Sequence, residues 1–342
     1  MIDWLKFEIP LIHDSINDGS LVRFNADGTE DWKTDMRLRH KGSFESSLLL
    51  KSVSETKDAE EQGHAQWLLI DGNPTKYLQG HNIDGIEDLI KLALITYENI
   101  CEHIPQLYSD FAYQQVKKGD FNVYRIDINH MFDLGSDHNV EAWLHAAEYR
   151  ASGRSGRAQG SKGTVYLQKG SSLWSIAMYN KYREITRGGA KHKIQDHTFY
   201  DKDKLIEFAE GLLRVEVRLL AKELKKRGLF NAKQLNKKLP ELFDEYIRRC
   251  DMSANVELTT KQENDLPNQL IGTYYLWRKG RSVKDELPRA TYFRHKKLFK
   301  EFNIDISIPP VTPEQSNVIP LLKVLEAKPV QRPGWLEDYI VK

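Results

Sequence analysis

Apolar and polar residues alternate in several short runs, and each run predicts a strand with one face turned to a core. Residues 213–219, LRVEVRL, alternate strictly, with Val215, Val217 and Leu219 on one face and Arg214, Glu216 and Arg218 on the other. Residues 120–132, DFNVYRIDINHMF, predict a second such strand. Arg125, Asp127 and Asn129 share one of its faces; Tyr124, Ile126, Ile128 and His130 share the other. Residues 164–168 and 173–178 flank the turn-forming Lys169-Gly170-Ser171-Ser172, which predicts a hairpin with Tyr179 where its second strand ends. Further strands are predicted at 2–9, 21–24, 44–51 and 64–70, the last running into an Asp71-Gly72-Asn73-Pro74 turn.

The period then changes. Apolar residues at helical spacing predict helices at 86–103, 140–149 and 205–212. From about Leu220 helices take over: LAKELKKRG, NAKQLNKK and PELFDEYIRR, then LIGTYYLWRKG ended by Gly280, RSVKDEL, and PRATYFRHKKLFKEF with Pro288 near its first turn. The last three predict a helix-turn-helix offering Thr291, Arg294 and His295, with Arg289 and Lys296 beside them, to a major groove. A helical hairpin packed on the main domain is the competing reading. Residues 308–342, with prolines at 309, 310, 313, 320, 329 and 333, predict an extended tail. The predicted class is α+β: a mainly antiparallel sheet flanked by helices (1–222), a helical region (223–306) and a Pro-rich tail (307–342).

Composition adds bounds. With 342 residues, 40% hydrophobic and 29% charged, the chain has material for one large domain and a smaller one. The first residues, MIDWLKFEIP, carry three charges and predict no export signal, and no run approaches the ~20 apolar residues that span a bilayer. Cys101 and Cys250 make neither a disulfide framework nor a zinc motif, which points to a reducing cytoplasm. The net charge of +1 conceals a segregation. Residues 1–149 hold 13 basic against 26 acidic side chains, residues 150–193 hold ten basic against Glu184 alone, and residues 278–300 hold nine against two. Two basic patches on a near-neutral chain fit nucleic-acid phosphates.

The chemistry gathers around the hairpin. A phenol of pKa ~10 is about one part in a thousand ionised at neutral pH, so a nucleophilic Tyr179 needs cations or a metal ion nearby. Lys181 and the surrounding arginines supply the cations. Asp127 and Glu216 are hard oxygen ligands suited to Mg²⁺ or Mn²⁺, and Asn129, His81 or Glu45 would complete the shell. The structural alternatives are a surface glutamate at 45, a turn histidine at 81 and an ion pair on a solvated face for Arg125 and Asp127. Arg125, Arg214 and Arg218, with Arg154, Arg157 and Lys162 of the Gly/Ser-rich loop 151–163, are candidate phosphate contacts. Attack by Tyr179 on a phosphodiester would leave a 5′-phosphotyrosine and a 3′-OH, reversibly and without ATP. Tyr182 is either a second nucleophile, if a helix face carries both tyrosines, or a packing residue. Tyr166 on the partner strand is a third candidate.

The order GNPTKYLQGHN (72–82), YRID (124–127), a tyrosine in AMYNKY, LIEFAEGLLRVEVRL (205–219) and LPRATYFRHKKL (287–298) resembles the gene II/gene X replication proteins of filamentous phages. The resemblance runs from the first residues to about 306. It implies a rolling-circle initiator with a nickase-like core. Such a protein nicks the plus strand at the double-stranded phage origin, stays linked through the tyrosine that falls on Tyr179, and recloses the displaced single strand. It implies a metal-dependent reaction, work beside a host helicase and polymerase in the bacterial cytoplasm, and no membrane partner. Wider rolling-circle nickases carry a His-hydrophobic-His motif where this chain has Asp127-Ile128-Asn129, which leaves the ligand set open. The family also tends to express its C-terminal part from an internal start, for which Met252 is the one methionine after Met178. A non-catalytic helix-turn-helix repressor is the alternative function, and a nuclease using water a third.

Overall fold

The computed structural model describes residues 1–54, 64–153, 156–161, 163–189, 192–249, 263, 265–302, 304, 306–307, 324–325 and 328–341. Thirteen strands are present among them: β1 (Ile2–Asp14), β2 (Ser20–Phe24), β3 (Glu30–Asp35), β4 (Leu38–Lys41), β5 (Ser47–Val53), β6 (His64–Gly72), β7 (Asn122–Asp133), β8 (Ser152–Gly153), β9 (Gly156–Arg157), β10 (Gln159–Ser161), β11 (Thr164–Leu167), β12 (Trp174–Asn180) and β13 (Leu212–Leu220). Nine form one antiparallel sheet in the order β10-β11-β12-β13-β7-β1-β6-β5-β4, while β2 pairs with β3 and β8 with β9. The expected α+β class with a large antiparallel sheet is what forms. The expected strands at 2–9, 120–132, 164–168, 173–178 and 213–219 all lie in that sheet, and Tyr179 sits near the end of β12, as its penultimate residue.

Alternation decides the layers. Leu5, Phe7, Ile9, Ile126, Val215, Val217, Leu219, Ile176 and Met178 turn one face of the sheet into a continuous core, each side chain contributing about 1.5–3 kcal/mol by leaving water. Helices α2 (Leu89–His103), α3 (Asp110–Lys118), α4 (Asp137–Arg150), α7 (Ala221–Lys226) and α8 (Ala232–Ile247) belong to this side. The remaining helices are α1 (Pro74–Gln79), α5 (Lys181–Arg187), α6 (Lys202–Ala209), α9 (Asn268–Arg278), α10 (Val283–Glu286) and α11 (Arg289–Phe299). Helices α9 to α11 close around their own core of Leu270, Tyr274, Trp277, Val283, Tyr292 and Phe299.

Several expectations change. Asn73-Pro74 starts α1 instead of a loop, because Asn73 accepts from the Lys76 amide as N-cap and proline suits the first helical position. Pro240 does not divide two helices: α8 runs through it, since its apolar stripe of Leu235, Leu239, Leu242, Phe243 and Tyr246 is buried along the whole length and outweighs one lost backbone bond. Helix α3 was not expected. Within the segment expected to be extended, Gly334–Tyr339 is a 3₁₀ turn, and Leu336 and Ile340 are buried against Ile83, Ile185, Ile194, Tyr200 and Leu205. Met131, of the polar parity of β7, packs with the same group, so α5, α6 and this segment cover one end of the polar face.

Candidate active site

Four neighbouring strands bring the polar side chains together. Register places Tyr179 opposite Arg214 and Ala177 opposite Glu216. It places Glu216 opposite Asn129 and Arg218 opposite Asp127, with Trp4 on the far side of Asp127. The Tyr179 hydroxyl donates to Glu216 Oε1 at 2.6 Å. Arg214 Nε donates to the same oxygen at 3.0 Å, its Nη2 lies 2.8 Å from Asp3 Oδ1, and its Nη1 donates to the Asn82 carbonyl. Asn82 is a hub, because its amide donates to Asp3 Oδ1 at 2.8 Å and its Oδ1 accepts from Lys181 Nζ at 2.9 Å. Lys181 also donates to Glu184 Oε2 at 2.6 Å, and His192 Nδ1 lies 3.0 Å from the other Glu184 oxygen.

The side chains of Arg214 and Lys181 are wholly enclosed, and burial sets the proton affinities. Burial, with the Asp3 charge, pushes the Glu216 carboxyl up to about 7 although Arg214 pulls the other way. The Tyr179 phenol lies well above 10 because its hydroxyl is buried; Arg214 opposes that shift and Glu184 and Glu216 add to it. Burial lowers Lys181 against the pull of Glu184. Burial works against the Glu184 charge too, but Lys181, His192 and Arg214 hold its carboxyl well below the usual range. The pair Tyr179–Glu216 therefore rests with the proton on the phenol and a carboxylate poised near neutrality to take it.

Asp127 forms a second cluster on the same face. Arg125 Nη2 lies 2.6 Å and Arg218 Nη2 3.0 Å from its Oδ2, and the Arg125 guanidinium stacks 4.6 Å from the Trp4 ring centroid. Tyr166, opposite Ala177, carries the Lys169 ammonium 4.7 Å over its ring. Asn129 is buried, with its amide 3.5 Å from the Met1 carbonyl.

Other expected site residues sit elsewhere. Lys181 directs its ammonium to Asn82 and Glu184, so the cation beside the phenol network is Arg214. Arg214 was expected to meet phosphate; it is enclosed instead, paired with Asp3 and Glu216 inside the network. His81 is buried and donates through Nε2 to the Tyr339 carbonyl at 3.0 Å, and burial lowers its pKa to about 4. Glu45 is exposed in the loop between β4 and β5. Tyr182 shares no helix face with Tyr179, because α5 begins at Lys181; it packs beside Ile185 and Ile194. On α11, Arg289 and Arg294 are exposed and Thr291 is half-buried. His295 is instead buried with Nδ1 2.8 Å from Thr273 Oγ1, and Lys296 donates to Ser307. Arg154 and Lys162 lie outside the described residues, as do Cys250 and Met252, and Arg157 falls in β9. Asp3, Trp4, Asn82 and Glu184 are site residues that sequence reasoning missed. Asp3 lies in a strand read only for its apolar positions, and Asn82 stood next to the histidine that drew attention.

Fold and site define an α+β protein whose nine-stranded sheet carries a buried tyrosine–carboxylate–arginine network at its centre. Among the described residues no three His, Cys, Asp or Glu side chains converge as a ready-made metal cage, and no helix is long and apolar enough to cross a membrane. The chain belongs to the gene II family of filamentous-phage replication-associated proteins: residues 1–238 match the family's N-terminal model and residues 258–340 its C-terminal model. The match thus continues past residue 306, where the motif resemblance stops. The replication-associated protein of this family from Enterobacteria phage I2-2 is 38% identical over 341 residues, covering 99% of this chain and 97% of that protein. Those of phages M13 and f1 are 26% identical over 178 residues, covering 47% of this chain and 41% of each protein. No solved structure gives a significant match.

Proposed function

We propose that the chain initiates rolling-circle replication by nicking the plus strand at a double-stranded phage origin. Tyr179 Oη attacks phosphorus, the bond to the 3′ oxygen breaks, a 5′-phosphotyrosine forms, and the leaving oxygen takes a proton to become a 3′-OH that primes synthesis. Glu216 accepts the phenolic proton. The reverse step, with a 3′-OH attacking the phosphotyrosine, rejoins the displaced strand. The observation that carries this reading is the 2.6 Å bond from Tyr179 to a carboxylate whose pKa is about 7, in a chain of the gene II family. Host helicase and polymerase would unwind and extend from the nick.

A divalent ion would be held on this face in the manner of Mg²⁺ sites completed by substrate phosphate and water, which need only one or two carboxylates. Tyr179 and Arg214 both use Glu216 Oε1, and Oε2 together with Asp127 is the proposed oxygen pair. When bound, the ion would polarise the scissile phosphate. The guanidinium groups on Asp127 would exchange onto DNA phosphates. The aromatic and cationic groups Lys169–Tyr166, Arg218 and Arg125–Trp4 cross the sheet face beside Tyr179 and suit a single strand, whose bases stack and whose phosphates pair. In this reading α9 to α11 act as the helix-turn-helix, with the exposed Arg289, Phe293, Arg294 and Lys297 of α11 toward duplex DNA.

The test is supercoiled origin DNA with Mg²⁺. The wild type is expected to yield nicked circles with protein on the 5′ end, and Tyr179→Phe to bind equally but lose nicking by about a thousandfold or more. Tight binding without cleavage in any divalent metal would favour the repressor reading.

A further inference from the structure

We propose that residues 328–341 clamp the loop after α1 and so hold Asn82 in its place among Asp3, Lys181 and Arg214. This rests on the nicking reading above. Residues 81–88 have no regular secondary structure, yet Asn82 makes three bonds to the charged network, through its amide, its Oδ1 and its carbonyl. A loop with that task needs its backbone entropy removed by contacts on both sides of residue 82.

The C-terminal segment supplies them. The Val341 amide donates to Gln79 Oε1 at 3.3 Å, and Gln79 Nε2 donates to the Asp84 carbonyl at 2.6 Å. His81 Nε2 donates to the Tyr339 carbonyl at 3.0 Å. Arg332 pairs with the Asp84 carboxylate and donates to the Gly85 carbonyl at 2.9 Å. Leu336 and Ile340 close over Ile83, whose side chain is fully buried, and the Val330 amide bonds the Met131 carbonyl at 2.8 Å. The contacts therefore fall on residues 79, 81, 83, 84 and 85, around the hub. They also cross from the stretch matched by the C-terminal family model to the one matched by the N-terminal model. His81 is in this account a positioning residue: buried, neutral, and committed through Nε2 to the clamp. Gly80, at φ 81°, turns the chain into the loop where a Cβ would lie 2.6 Å from Phe44 and 2.9 Å from Tyr200, so the loop enters the clamp along one path.

The experiment compares the full chain, a chain ending at residue 327, the milder Arg332→Ala variant, and the truncated chain with a synthetic 328–342 peptide added. Single-turnover nicking at saturating protein, origin affinity and hydrogen exchange over 79–86 are measured below the melting temperature of each. Truncation is expected to slow nicking about tenfold or more while affinity stays within about twofold, with Arg332→Ala intermediate. The peptide is expected to restore the rate, and His81→Gln to add nothing to the truncation. Loop 79–86 should lose exchange protection in the truncated chain and regain it with peptide. Unchanged or faster nicking, or a rate and affinity that fall together without rescue, would overturn the clamp. So would full protection of 79–86 in the truncated chain, whether or not the wild type cuts DNA. A wild type that never nicks, with protection lost on truncation, would instead contradict the proposed function and leave the clamp standing.

Discussion

Glu216 and Asp127 sit on adjacent strands, two register positions apart on the same sheet face; Glu216 has an arginine two residues away on each side, Asp127 has Arg125 on one side and Asn129 on the other. They nevertheless make two different sites. The Arg214 side chain is wholly enclosed and bridges Glu216 to Asp3, while Arg218 and Arg125, on Asp127, keep 37% and 22% of their side-chain surface exposed. Burial at one end, where α5, α6 and the C-terminal segment cover the face, turns an ion pair into a fixed dipolar frame around a tyrosine. Exposure at the other leaves guanidinium groups within reach of solvent, which in the proposed reading trade a carboxylate for a phosphate. Similar alternation thus yields an enclosed carboxylate, the proposed proton acceptor, in one place and a candidate strand contact in the other.

The largest expected break in that comparison is Glu216→Gln. Loss of a general base should cost about 10²–10⁴ in nicking rate. The wild-type rate should rise with pH as the Glu216 carboxyl, lifted by burial to about 7 in the metal-free protein, loses its proton, and a divalent ion on the same carboxylate should move that limb to lower pH. A rate–pH profile of the variant should lack this limb; a limb that persists would assign the base to another group.

Next come the two arginines. Arg214→Ala leaves Asp3 and Glu216 buried without their cation and should cost about 3–5 kcal/mol in denaturant unfolding. Arg218→Ala removes the more exposed partner of a buried Asp127 that keeps Arg125, and should change stability by less, about 1 kcal/mol. It should weaken DNA binding at every sequence and reduce the salt slope by about one. Equal stability losses in the two variants would erase the distinction between the clusters.

Much of this face was legible in the chain. Strict alternation in LRVEVRL and YRIDIN places Arg214, Glu216, Arg218, Arg125 and Asp127 on one side because pleating has a period of two residues. The local hairpin brings Tyr179 to the neighbouring strand. Pairing across more than a hundred residues leaves no such mark, so neither Asp3 of β1 nor Asn82 of the loop, whose contacts with Arg214 are long-range, was legible in the sequence. Which arginine would be buried was equally silent: Arg214 lies against Asp3 and the Asn82 carbonyl, which the local sequence around it does not foretell. On α11 the helical period was plain, but His295 faces Thr273, inside the small core, where a basic run gave no reason to expect it.

A peptide map of the protein–DNA adduct tests the central claim most directly. After nicking of origin DNA and exhaustive nuclease digestion, the account predicts a single nucleotide phosphate on the tryptic peptide carrying Ile176, Met178 and Tyr179, attached to Tyr179. A phosphate on Tyr182 or Tyr166, or nicked DNA with no adduct at all, would contradict it.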